Sequence, residues 1–250
     1  MILNLWKSKF DAWGCPTQGI KRFVMKINSG IDLLQENLQR QLSNYWTQVD
    51  FDVIEKALPK TLDRMSDVLE ALSKKNKYVW QNGTVIFSPM HSVQYSIFLY
   101  LLANTIFRMK DIREADCIYY LNKIMNSCDW FYAVELTKIF YAEHPLGSVL
   151  GRAQYGDRLF IYQGCTVGGN WNKDGILSYP VIGENVLMYA GSSILGNSHI
   201  GDNVIISAGT KILNHDIPAE SIVFENAGEL IIRQVGYGEI HKRQAHIWKD

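Results

Sequence analysis

The chain has 250 residues, 47% of them hydrophobic, and its 25 Lys and Arg balance its 25 Asp and Glu. That length holds one large domain or two modest ones, and the apolar share supports a full core. A formal net charge of zero excludes the strongly basic class that meets nucleic acid or an anionic membrane by charge alone.

The four cysteines, Cys15, Cys117, Cys128 and Cys165, form no CxxC pair and no metal-ligand spacing, so they read as free thiols in a reducing compartment. The N-terminus, MILNLWKSKFDAW, lacks the apolar core of a signal peptide. The most apolar run, residues 95–107, is too short to cross a bilayer and carries Asn104. The expectation is a soluble cytoplasmic protein with no membrane span.

Residues 1–128 read as a helical domain. Ile31, Leu34, Leu38 and Leu42 share one helical face. Residues 51–73 do the same with Phe51, Ile54, Leu58, Leu62, Met65, Val68 and Leu72, and Pro59 predicts a kink or break. Residues 74–89 read as a linker or loop. Helices follow at 91–109 and 111–127; the first is apolar nearly all round, which suits burial in a bundle or a contact with another copy.

From Ile182 to Asp216 the pattern changes. A large aliphatic residue returns every sixth position, at Ile182, Met188, Ile194, Ile200, Ile206 and Ile212. A small or β-branched residue follows each of the first five by four, at Val186, Ser192, Ser198, Val204 and Thr210. Period six belongs to neither a helix nor a lone strand; it is the hexapeptide repeat of a β-helix, one strand and one turn per hexad. The phase runs backward through Val167, Ile161, Leu150, Ala142, Leu136 and Trp130, with slips near residues 148 and 155. Residues 129–225 therefore form the repeat domain. The excess between Val167 and Ile182 must leave the prism as a loop, 168–180. Residues 226–250 read as a tail.

From His91 to Phe224 the chain resembles the serine O-acetyltransferases among the hexapeptide-repeat acyltransferases. The residues that carry the likeness are HSVQ at 91–94, DW at 129–130, EHPLGSVLG at 143–151, IYQGCTVGGN at 161–170, SYPVIGENV at 178–186 and the repeats through DIPAESIV at 216–223. The resemblance implies an N-terminal α-helical domain followed by a left-handed parallel β-helix. It also implies a trimer, or a dimer of trimers, with active sites between neighbouring prisms.

The family's catalytic histidine falls on His144, as general base toward a hydroxyl that attacks a thioester. Its orienting carboxylate falls on Asp129, which could equally cap a coil, and Glu143 stands where the family has an Asp. Acetyl-CoA is the implied co-substrate and no metal is expected. The groove for its pantetheine arm falls on Gly168, Gly169, Asn170, Ala190, Gly191, Ser207, Ala208 and Gly209. Those small residues could also simply turn prism corners. Backbone amides near Gly169 are candidates for holding the oxyanion. Tyr189 stands where the family has Gly.

Three departures bear on the acceptor. The segment matching the family's acidic serine-binding stretch is Ser73–Lys77, with three lysines and no acid. Tyr179 replaces the second active-site histidine. The chain ends in Trp248-Lys249-Asp250, where members that dock into cysteine synthase end in Ile. These favour a saccharide acceptor of capsule, O-antigen or nucleotide-sugar type, contacted by Tyr179, Gln163 and Trp171. The alternatives are serine itself and a non-catalytic hexapeptide scaffold. A β-helix metal enzyme is disfavoured, because His144, His199 and His215 lack paired spacing.

Overall fold

The computed structural model describes residues 25–249. The helical reading of residues 1–24, with Cys15, lies outside the described residues.

Four helices form the first part: α1 (Ile31–Tyr45), α2 (Phe51–Glu70), α3 (Ser92–Arg108) and α4 (Ile112–Asn126). The α1 face that buries Leu34, Leu38 and Leu42 is the one the fourfold spacing predicts. The Asp50 carboxylate accepts from the Asp52 amide at 3.0 Å and so caps α2. Pro59 does not break α2, which runs on through it. The buried neighbours Ala57, Leu58, Thr61 and Leu62 hold that turn by packing.

Every residue of α3 from Val93 to Ile106 is buried, against α2 and α4 among others. This settles the two readings of that apolar helix: it is the centre of the bundle within one chain, and it leaves no face for another copy. Residues 74–89 are more ordered than a linker. Strands Trp80–Gln81 and Thr84–Phe87 pair around Asn82 and Gly83, both at positive φ, and Met25–Ile27 joins in parallel. Consecutive positive φ angles make the turn that suits a two-residue hairpin.

From Asp129 onward short parallel strands coil into a left-handed β-helix with three faces. Ile182 pairs with Ile200, Met188 with Ile206 and Ile194 with Ile212, eighteen residues on in each case. The inner residues form columns: Leu150, Val167, Ile194 and Ile212 down one face, and Ala142, Ile161, Met188, Ile206 and Val223 down the next. All of these are nearly inaccessible. Each aliphatic side chain taken out of water contributes about 1.5–3 kcal/mol, which is why the period is kept so strictly. Between Ile161 and Met188 one coil spans twenty-seven residues instead of eighteen. The excess leaves as an antiparallel hairpin, Asn170–Trp171 against Leu177–Ser178.

The segment read as a tail is part of the fold. Glu229–Gln234 pairs antiparallel with Ser221–Asn226, and a fifth helix, α5, covers Tyr237–Gln244. Ile240, Ile247 and Trp248 are buried. Cys117, Cys128 and Cys165 are free and buried.

Candidate active site

His144 sits at the corner between strands Phe140–Ala142 and Val149–Leu150. Its φ is +51°, a left-handed conformation that non-glycine residues seldom adopt. Arg158, Asn185, Asn203 and Asn214 share it elsewhere along the prism, so the angle marks a tight turn between strands. Next to it a column of glycines runs up one prism edge: Gly147, Gly164, Gly191 and Gly209, all at φ near +70°. A Cβ on Gly164 would come within 3.5 Å of Gly191 Cα, so consecutive coils meet backbone to backbone along this edge. The Gly164 amide donates to Leu146 O, the Gly191 amide to Gln163 O and the Gly209 amide to Ala190 O.

His144 and Glu143 line a cavity of about 560 Å³ between the prism and the helical part. Its other walls include His91, Lys75, Lys77, Tyr78 and His246, over an apolar floor of Tyr141, Phe160 and Ile247. His91 is the N-cap residue of α3. The buried Gln94 fixes that start: its side-chain carbonyl accepts from the Ser88 amide at 2.7 Å, and its amide donates to Tyr78 O at 3.2 Å. Tyr78 in turn lies on His91, ring centroids 5.1 Å apart. Burial lowers the His91 pKa, Glu143 pulls it up and His144 pushes it down, so the net shift favours the neutral imidazole. Its Nδ1 is buried without a partner.

The sequence-predicted residues fall into separate groups. His144, Glu143, Gln163, Ala190, Gly191, Ser207, Ala208 and Gly209 share one edge of the prism. Gly168, Gly169, Asn170, Trp171 and Tyr179 lie at the root of the hairpin, on the next edge. Tyr179 packs over Gly169, where a Cβ would fall 2.8 Å from the ring, and the Arg152 guanidinium lies over the Tyr179 ring, 5.4 Å from its centre. Trp171 is 65% exposed. Neither aromatic residue lines the cavity that holds His144 in the same chain. Asp129 is also apart: its carboxylate accepts from Tyr119 Oη at 2.5 Å and from Lys123 Nζ at 2.9 Å. Tyr189 stacks flat on Tyr162 at 5.2 Å, on the same prism edge as His144.

Residues 179–214 match the bacterial transferase hexapeptide (six repeats) family. Among curated proteins the chain is similar to serine acetyltransferases of Staphylococcus epidermidis, at 32% identity over 139 residues, and of Staphylococcus aureus, at 30%. These alignments cover 54% of this chain and 63% of each relative, so the chain matches somewhat under two thirds of their length. Among solved structures it superposes on the serine acetyltransferase of Neisseria gonorrhoeae with a TM-score of 0.61 at 21% identity, covering 77% of this chain and 74% of that one. A serine acetyltransferase in complex with CoA gives 0.55 at 18%, covering 72% and 74%. The chain thus carries hexapeptide repeats and is similar to serine acetyltransferases in part of its sequence and in its fold.

Sequence reasoning misses two cavity residues: His91 reads only as part of the HSVQ signature and His246 as tail, whereas Lys75 and Lys77 stand in the stretch matched to the family's serine-binding segment. The one available signal for His91 was its place immediately before a helix whose first turn is buried. For His246 there was none. His199 and His215 stand elsewhere, with the His199 Nδ1 2.8 Å from Asp216. Among the described residues no cluster of three or more His, Cys, Asp or Glu could hold a metal ion, and no helix is long and apolar enough to cross a membrane.

Proposed function

We propose that the protein transfers acetyl from acetyl-CoA to the hydroxyl of serine, with His144 as general base. The imidazole takes the hydroxyl proton as the oxygen attacks the thioester carbonyl. The tetrahedral intermediate collapses, the carbon–sulfur bond breaks, and the proton passes to the departing CoA thiolate. Backbone amides at the groove stabilise the oxyanion.

The observation that carries this reading is the mixed charge of the cavity before His144. Glu143 supplies an anion beside the base, and Lys75 and Lys77 supply cations on the lining of the same cavity. A zwitterion needs one of each, because an unpaired charge leaving water loses several kcal/mol. The relatives named as serine acetyltransferases support the same acceptor. The saccharide acceptor favoured by the sequence rests on the lack of an acid near the lysines, but Glu143 lines the same cavity and the lysines suit a carboxylate. Trp171 and Tyr179 stand on the hairpin edge, outside this cavity within one chain.

The two groups of groove residues occupy neighbouring edges of one prism. A pantetheine arm can touch both only if a second copy presents its hairpin edge to the first copy's His144 edge, so the reading includes a trimer with shared sites. Release of CoA thiol with L-serine, against a panel of sugars and nucleotide sugars, tests the acceptor. A catalytic efficiency of about 10⁴ M⁻¹s⁻¹ or more on serine is expected. Preference for a saccharide would overturn the acceptor, and no turnover with any hydroxyl would favour a scaffold.

A further inference from the structure

We infer that the C-terminal segment completes the acceptor subsite, His246 joining Lys75 and Lys77 to hold the acceptor's carboxylate. The inference rests on the acetyl-transfer reading above and adds to it a place and a partner for the anionic end.

The segment after α5 is pinned by its backbone to the end of the helical part. The Ser73 amide donates to Ile247 O and the Lys249 amide to Ala71 O, both at 2.8 Å, and Leu72 and Trp248 form an antiparallel bridge between them. Trp248 is buried and meets the Phe160 ring edge-on at 5.9 Å, which ties the same segment to the prism. Lys249 Nζ lies 5.5 Å from the centre of the Trp80 ring, whose Nε1 donates to Leu72 O. His246 is therefore carried on a three-point anchor.

The lysines are fixed by the other half of the same ladder. The Asn76 amide donates to Ser73 O at 2.9 Å, the Trp80 amide to Asn76 O at 2.8 Å, and Asn76 Oδ1 accepts from the Tyr78 amide at 3.1 Å. This folds residues 73–80 into a compact turn with Lys75 and Lys77 on the cavity. The Ser73–Ile247 bond then joins that turn to His246. Three nitrogen donors on two paired segments face one wall. Among the described contacts no carboxylate pairs with Lys75 or Lys77, and Glu143 lies beside His144. The charge of that wall is uncompensated by the protein and complementary to an anion. His144 lines the same cavity, so an acceptor held there by its carboxylate carries its hydroxyl into the space that holds the base.

The test is steady-state kinetics with four small acceptors and three variants. L-serine and glycerate carry a carboxylate beside the hydroxyl; ethanolamine and glycerol do not. Wild type should acetylate the first pair and not the second. Substitution His246→Ala should raise the acceptor KM about tenfold, with kcat and the acetyl-CoA KM within about twofold, as expected for one lost hydrogen bond to a charged group. Substitution His246→Gln, which keeps an N–H donor, should recover most of the loss. Lys75→Ala should act in the same direction as His246→Ala. Turnover of glycerate without serine would end the serine reading and leave this inference standing. Ethanolamine or glycerol serving as well as serine would overturn the inference and leave acetyl transfer intact. An unchanged acceptor KM in His246→Ala, or an acetyl-CoA KM rising in step with it, would overturn it too.

Discussion

Lys123 Nζ lies 2.9 Å from one oxygen of the Asp129 carboxylate, and the Tyr119 hydroxyl donates to the other at 2.5 Å. The carboxylate joins the end of α4 to the first strand of the prism, Asp129–Trp130. No described hydrogen bond links it to His144. Asp129→Asn should therefore lower acetyl transfer less than tenfold, well short of the two to four decades expected for loss of a general base. Lys123→Met should act alike. A loss in Asp129→Asn as large as in His144→Ala would mean that the carboxylate turns to the imidazole in the working enzyme. Acid should also loosen this joint. Burial favours the protonated acid, but the bonds from Tyr119 and Lys123 outweigh it and hold the carboxyl below its ordinary value of 3.8. Its contribution to stability is full above that value and fades as pH falls through the lowered one.

His91 gives a second pH signature of opposite chemistry and the same sign. Burial holds its pKa below the ordinary 6.5, so the folded state resists the proton that the unfolded chain accepts. Stability is present above 6.5 and is lost as pH falls through the lowered folded value. His91→Gln removes the titrating group. Urea denaturation at about pH 7.5 and pH 5.5 should show a smaller acid-induced drop in the variant than in wild type. Equal drops would mean that His91 is solvated enough to charge freely.

The repeats were legible because each inner position accepts one kind of side chain. Ile194 packs between Val167 below and Ile212 above, and the prism has no second way to fill that level. A rule enforced at every coil writes itself into the sequence as a period. The cavity obeys no such rule. His91, Lys75, Lys77 and His246 come from three separate stretches of chain, and their meeting depends on the hairpin at 80–87 and on a backbone ladder between 71–73 and 247–249. Backbone bonds leave no residue preference to read. Ile240, Ile247 and Trp248 are spaced too irregularly among charged residues to announce a docked segment. The same limit covers the aromatic pair: Tyr179 and Trp171 stand one prism edge away from His144 within a chain, and no residue pattern says which edge a second copy brings there.

The inner columns set a stability prediction. Ile194→Ala removes three carbons from a fully buried level whose neighbours are fixed by parallel pairing above and below, so the site cannot collapse. The loss should be about 2–5 kcal/mol. Chemical denaturation would measure it. A change under about 1 kcal/mol would mean that the coils slide to close the gap.

Shared sites can be tested by mixing two dead proteins. His144→Ala removes the base on one prism edge. Gly168→Trp blocks the other, because a Cβ on Gly168 meets nothing within 4 Å and a large side chain there would fill the groove without disturbing the coil. Each variant alone should be inactive. If every site joins the His144 edge of one copy to the hairpin edge of the next, a mixed trimer contains some sites with both edges intact. Random reassembly at equal amounts leaves half of the His144 edges intact and half of the hairpin edges intact, independently across each interface. Recovered activity should then be about a quarter of wild type. Light scattering on the wild type should give three or six times the 28.6 kDa of one chain. No recovery on mixing, from trimers shown to exchange subunits, would mean that one chain builds the whole site. The groove would then have to run over a single edge, and Gly168, Gly169 and Asn170 would be corner-turning residues only.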